Sequence, residues 1–134
     1  MNLNNIPVGA TGTLSVEVSR ELTVAHILPH LPEVYSTPNM IALMESAAQV
    51  AIDEYLADGW VAVGTSVNIK HLAATPIGFT VTATAKVVEV SDRTVSFEIE
   101  AHDGIEKVGA GTHVRAPVEL SRFKKGFLAK LAKN

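Results

Sequence analysis

Thr37-Pro38-Asn39-Met40-Ile41-Ala42-Leu43-Met44-Glu45-Ser46-Ala47-Ala48-Gln49-Val50-Ala51-Ile52 decides the fold, because its one formal charge, Glu45, stands in an otherwise apolar or small run. The charge-free flank reaches back to Val34, so Glu45 is alone over residues 34–52. From Met40 to Ile52 nearly the whole helical circumference is apolar, the pattern of a buried helix rather than one docked on a surface. Thr37-Pro38 supplies the start, with the threonine hydroxyl as N-cap and proline at the first helical position. The helix is expected to run to about Tyr55 or Leu56 and to stop before Gly59. A lone carboxylate there is costly to desolvate and needs a partner, a shifted pKa or a chemical task. Glu45 is thereby a candidate acid–base or nucleophilic group. The bland alternative pairs it with an arginine or a backbone amide at an interface.

The flanking segments read as strands. Leu14, Val16 and Val18 share one face of residues 11–20, a half-buried strand. Residues 26–38 contain Pro29, Pro32 and Pro38 and read as a loop. Trp60 to Leu72 is β-branched and alternating, and residues 73–78 form a connection. Val81, Ala83, Ala85 and Val87 alternate with polar partners, as do Val95, Phe97, Ile99 and Ala101, and then Val108 to Val118. Ser91-Asp92-Arg93 and Asp103-Gly104 mark hairpin turns, the latter a type I′ signal. The last three strands therefore form an antiparallel meander. Residues 119–132 put Leu120, Phe123, Phe127, Leu128 and Leu131 on one side of a short basic helix, expected to dock on the domain. One strand, one apolar helix and four more strands make an α+β fold in which the sheet must wrap the helix. That is the hotdog arrangement, in a single domain over residues 1–134, and it leaves a sheet edge and a helix end for a second copy to bury.

Composition narrows the function classes. The chain has 134 residues, 47% of them hydrophobic, with a mean hydropathy of +0.23. That suffices for one core. A net charge of −3 offers no basic excess for a phosphate track, so nucleic acid is not an expected partner. The absence of cysteine removes disulfides, thiolate zinc sites and a thiol nucleophile. Residues 34–52 approach the length of a membrane span, but Pro38, Asn39, Glu45 and Gln49 favour a buried soluble helix. No basic region followed by an apolar core opens the chain, so a cytoplasmic location without membrane attachment is expected.

Thr37, Glu45 and His71 form the leading set for chemistry. Thr37 and Glu45 are separated by about 12 Å of helical rise, so they do not touch but can line one groove, within a chain or across a dimer. His71 ends a strand just before a proline-containing connection, where a side chain enters a cleft mouth. A carboxylate and an imidazole converging on one cavity suit acid–base or nucleophilic hydrolysis. Taken singly, Thr37 reads as a helix cap and His71 as a solvated strand end. Gly64 is a candidate backbone donor to a carbonyl oxygen. Arg115 shares a strand face with His113 and could hold a carboxylate or phosphate, a surface ion pair being the plainer reading. Gly109 and Gly111 sit within a strand and signal close approach of a backbone or ligand. His26 and His30 have Pro29 between them and no acidic ligand after them, so no metal site is expected.

Together, Leu31-Pro32-Glu33-Val34 with Thr37, Met44-Glu45, Val63-Gly64-Thr65, His71-Leu72-Ala73-Ala74-Thr75-Pro76, Ala101-His102-Asp103-Gly104 and Gly109-Ala110-Gly111-Thr112-His113-Val114-Arg115 resemble the fluoroacetyl-CoA thioesterase branch of the hotdog-fold thioesterases. The likeness runs from about Val8 into the C-terminal helix, with no gap from Thr37 through Glu45 to His71. It implies a homodimer that hydrolyses a short acyl-CoA, with catalytic Glu45 and His71 completed by Thr37. Gly64 would bind the thioester carbonyl, Arg115 would support the site, and coenzyme A would enter only as part of the substrate, with no separate cofactor. The specialised member closes its acyl pocket with phenylalanines in the loop before the helix. Here that loop supplies Leu28 and Leu31 and no aromatic between Ala25 and Val34, which implies a general short or branched acyl group. The rival readings are a hotdog hydratase or dehydratase, and a non-catalytic acyl-CoA binder.

Overall fold

The helix that decides the fold, α2, spans Thr37–Ile52 and is prolonged by a 3₁₀ turn over Asp53–Tyr55. A computed structural model describes residues 1–134. Ahead of α2 come β1 (Thr11–Glu17) and a single turn of helix, α1 (Val24–Ile27). After it follow β2 (Trp60–His71), β3 (Thr80–Val90), β4 (Val95–His102), β5 (Lys107–Glu119) and α3 (Leu120–Ala132). The five strands form one antiparallel sheet in the order β1-β3-β4-β5-β2. The expected meander is its centre, and the strands on either side of α2 in sequence take its two edges. The sheet curls around α2 in the hotdog arrangement. No helix is long and apolar enough to cross a membrane.

Packing explains the arrangement. Met40, Met44, Ala47, Ala48, Ala51 and Ile52 are buried, and they meet Val81, Ala83, Ala85 and Val87 of β3 and Val95, Phe97, Ile99 and Ala101 of β4. The small Ala47 and Ala51 let β1 approach so closely that a Cβ on Gly12 would strike the helix backbone there. One side of α2 stays open: Val50 is exposed and Glu45 half-buried. The helix is therefore less enclosed than its composition suggests.

Four expectations change. Ser36, not Thr37, caps α2: its hydroxyl accepts from the Asn39 N–H at 3.3 Å, and Pro38 lies in the first turn beside Thr37. The Asp103-Gly104 turn is not type I′, since only Gly104 has a positive φ, 90°. Instead Asp103 Oδ1 accepts from the N–H groups of Ile105 and Glu106, each at 3.0 Å. The C-terminal helix does not bury its apolar side, for Phe123, Phe127, Leu128 and Leu131 are all exposed.

The fourth change concerns β5. Gly109, Gly111, His113 and Arg115 pair with Ala101, Ile99, Phe97 and Val95 of β4 and share their inward face. Ala110, Val114, Ala116 and Val118 face outward, half-buried. A register shift at Ala101/His102 sets this choice, because a slip of one residue exchanges the two faces of a strand. The glycines make room: a Cβ on Gly109 would come within 2.6 Å of Met40 Sδ.

Candidate active site

Because Ser36 takes the cap, the Thr37 hydroxyl is free. It lies 2.8 Å from Nδ1 of His71, the last residue of β2. Two backbone contacts bring these ends together: Tyr35 N–H donates to Thr75 C=O at 2.8 Å, and Val34 bridges to Pro76. The Thr75 hydroxyl in turn donates to the buried Asp103 carboxylate at 3.1 Å. His71 Nε2 is buried without a hydrogen-bond partner. Burial pushes the His71 imidazole below its ordinary 6.5, partly opposed by the Ala73 backbone, so the ring favours the free base. A cavity of about 380 Å³ opens here, with Val24, Val34, Leu72 and Ala73 among its apolar walls. Leu28 and Leu31, expected in this role, do not line it, and Leu28 is exposed.

Glu45 lines a second cleft, of about 340 Å³, with Ala42, Ser46, Gln49 and Arg115. Its Oε2 is 3.5 Å from Arg115 Nη1. Arg115 is buried rather than on the surface, and the carboxylate is the more open member, at 38% exposure against 11% for the guanidinium side chain. Arg115 Nη2 donates to Ala62 C=O at 2.9 Å, and Nη1 lies 3.2 Å from His113 Nε2. His113 Nδ1 is 2.7 Å from the Ser66 carbonyl, which can only accept. The proton therefore sits on Nδ1, and Nε2 receives the arginine. Burial holds His113 below 6.5, opposed by its bond to Ser66, which agrees with that neutral tautomer. Phe97 stacks on the His113 ring at 5.9 Å.

Gly64 completes this cluster. A Cβ there would lie 2.7 Å from Glu45 Oε2, 3.2 Å from His113 Cε1 and 3.4 Å from Arg115 Nη1. Only glycine leaves the carboxylate its place against the strand. The register shifts just after Gly64, between it and Ser66, a break of the kind that re-aims backbone and side chains beside sites.

The structure thus gathers Thr37 with His71, and Glu45 with Gly64 and Arg115, in two separate clefts. Along β2, Gly64 and His71 stand roughly 20 Å apart at about 3.3 Å per residue. From sequence, His113 was named only as sharing a strand face with Arg115, and Ser66 was not named. The strand alternation that pairs His113 with Arg115 was legible, whereas Ser66 enters only through the register shift.

The family model for fluoroacetyl-CoA-specific thioesterase matches residues 18–121. The fluoroacetyl-CoA thioesterase of Streptantibioticus cattleyicolor is 40% identical over 122 residues, covering 87% of this chain and 88% of that protein. A solved variant of the fluoroacetyl-CoA-specific thioesterase, in complex with fluoroacetate and CoA, is 40% identical with a TM-score of 0.81, covering 87% of this chain and 98% of that one. A thioesterase superfamily member from Thermus thermophilus superposes with a TM-score of 0.90 at 25% identity, covering 96% and 95% of the two chains. With the hotdog sheet, the carboxylate against Gly64 and the Thr37–His71 pair already in place, these matches settle the family: the chain belongs to the fluoroacetyl-CoA-specific thioesterases and is a thioester hydrolase acting on acyl-CoA.

Proposed function

We propose that this enzyme hydrolyses short-chain acyl-CoA thioesters in a site shared between two copies of the chain. The close packing of Glu45 on Gly64 carries the reading: a Cβ there would lie 2.7 Å from Oε2, so the carboxylate rests against bare backbone, and the Gly64 N–H is the group assigned to the carbonyl oxygen. A base must reach the reacting atoms within hydrogen-bond distance. His71 of the same chain is too far along β2 to do so. The second copy supplies it: β2 is a free edge, exposed from Gly64 to Asn68, and an antiparallel pairing with its twin centred between Val67 and Asn68 would set Gly64 opposite the second copy's His71.

In this site Glu45, aligned by Arg115, attacks the thioester carbonyl carbon while the Gly64 N–H stabilises the oxyanion. The C–S bond breaks and CoA leaves as thiolate. His71 donates from Nδ1 to Thr37, which leaves Nε2 free to take a proton from the water that hydrolyses the glutamyl anhydride. The fatty acid and Glu45 are released, and the imidazolium returns its proton to the thiolate. Val24, Val34, Leu72 and Ala73 wall a small apolar space with no phenylalanine, which suits a short or branched acyl group without demanding fluorine.

Free-thiol release from a panel of short acyl-CoAs tests the reaction, with Glu45→Ala and His71→Ala expected to be inactive. Release from none of them, with acyl-CoA still bound, would leave a binding protein. Mixing the two inactive variants tests the sharing. One intact site per mixed dimer should restore about a quarter of the wild-type rate, whereas a site contained in one chain would restore nothing.

A further inference from the structure

One buried carboxylate takes no part in the chemistry described above. Asp103, at the turn between β4 and β5, is 6% exposed and makes no ion pair within 4.0 Å. A buried charge without a counterion has to be satisfied by hydrogen bonds. Its Oδ1 serves its own turn, accepting from the Ile105 and Glu106 N–H groups at 3.0 Å each. Its Oδ2 reaches out of the turn and accepts at 3.1 Å from the hydroxyl of Thr75, a fully buried residue of the β2–β3 connection. Thr75 stands where both halves of the Thr37–His71 pair are tied. It follows His71 by four residues, and its carbonyl accepts at 2.8 Å from the N–H of Tyr35, two residues before Thr37. The next residue, Pro76, bridges to Val34 on the same lead-in to α2. The Leu72 N–H, donating to the Val108 carbonyl at 2.8 Å, holds the first residue of the connection to β5. Past that point the bond from Thr75 to Asp103 is the side-chain tie between the connection and the sheet.

We infer, resting on the reading of His71 as the base, that Asp103 and Thr75 are positioning residues that hold the Thr37 hydroxyl and the His71 ring against each other. A base works only within hydrogen-bond reach of its proton. A displacement of about 1 Å, even one set far from the reacting atoms, can cost about a hundredfold in rate. A buried polar network in which each member is satisfied specifies one arrangement. Without Asp103 the buried Thr75 hydroxyl loses its acceptor, the connection shifts, and Nδ1 of His71 moves off Thr37. The ring proton then distributes over both nitrogens, and Nε2 is no longer reserved as the acceptor.

Thr75→Val removes the hydroxyl in a side chain of similar shape and leaves the Asp103 turn in place. Its kcat for acyl-CoA should fall about tenfold. The nitrogen NMR shifts of His71, those of a single Nδ1–H tautomer in the native protein, should move towards a mixture of tautomers. Asp103→Ala should reproduce both changes from the other side of the bond. Thr75→Ser restores the donor, and Asp103→Asn keeps an oxygen for the turn and a polar partner for the hydroxyl. Both conservative variants should keep the native tautomer and stay within about threefold of the native kcat. Unchanged His71 shifts in Thr75→Val, or an equal loss of kcat in Thr75→Val and Thr75→Ser, would overturn this role, since packing and not the hydroxyl would then be at work. If Thr75→Val melts below the assay temperature, the comparison of Asp103→Ala with Asp103→Asn decides by the same two readings. A fully active His71→Ala would instead overturn the reading of His71 as the base, and the shifts, recorded without turnover, would still decide whether Thr75 holds the ring.

Discussion

Two places along β2, Gly64 and His71, solve the burial of polar groups in opposite ways. At Gly64 the strand meets a charged network, in which Glu45, Arg115, His113 and Ser66 each contact the next. At His71 it meets a spare arrangement: one hydroxyl, one ring nitrogen at 2.8 Å, and a second ring nitrogen with no partner. A satisfied network holds a carboxylate in one position. A buried, unpartnered nitrogen is costly and is retained where something else is to meet it. In the proposed mechanism the first place fixes the attacking group and the second keeps a base vacant.

Removing the carboxylate is the hardest blow to this contrast. Glu45→Gln keeps the size and an acceptor for Arg115, so thiol release should fall at least about a thousandfold with little change in the thermal melt. Retained activity would reduce Glu45 to a structural partner of Arg115. Gly64→Ala follows. The added methyl meets the movable end of Glu45 at 2.7 Å and the buried His113 ring at 3.2 Å, so kcat should drop about a hundredfold from a misplaced carboxylate, with a smaller loss of stability. A lowered melting temperature with unchanged kcat would show that Gly64 serves packing alone.

The His71 end is sharpened by pH. Its folded value is lowered from 6.5 by burial, and the free base is the form that the proposed mechanism uses. The acid limb of kcat/KM should therefore fall below 6.5, and rates should stay level from neutrality down to that point. Stability has the same sign: the unfolded chain takes up the proton first, so the fold weakens as pH falls from 6.5 towards the folded value. An acid limb above 6.5 would assign the titration to another group. The smallest effect is expected far from both clusters. Gly109→Ala crowds the flexible but buried thioether ends of Met40 and Met44, and a urea melt should show a loss of about 1–3 kcal/mol with kcat unchanged.

Local pattern was enough to find the elements. Apolar periodicity marked α2, alternation marked β2 to β5, and Glu45 declared itself as the one charge in the helix. It was not enough to choose between equivalent neighbours. Ser36 and Thr37 are both hydroxyl residues at the helix start, and the extended Ser36 takes the cap, which leaves the Thr37 hydroxyl to His71. Residues 119–132 have the pattern of a docked helix, yet no part of the sheet covers Phe127 or Leu131.

Sequence alone determined which segments are helix and strand, that one helix must be wrapped by one sheet, and that Glu45 is an isolated charge in the helix, because these follow from periods of two to four residues and from the cost of an isolated charge. Only the tertiary structure decided that β5 turns its glycines, His113 and Arg115 inward, since a register shift sets that face. It also decided that Arg115 is the buried partner of Glu45, and that Thr37 meets His71 while Glu45 meets Gly64. Those contacts join residues far apart in the chain, and their geometry depends on where whole strands come to rest.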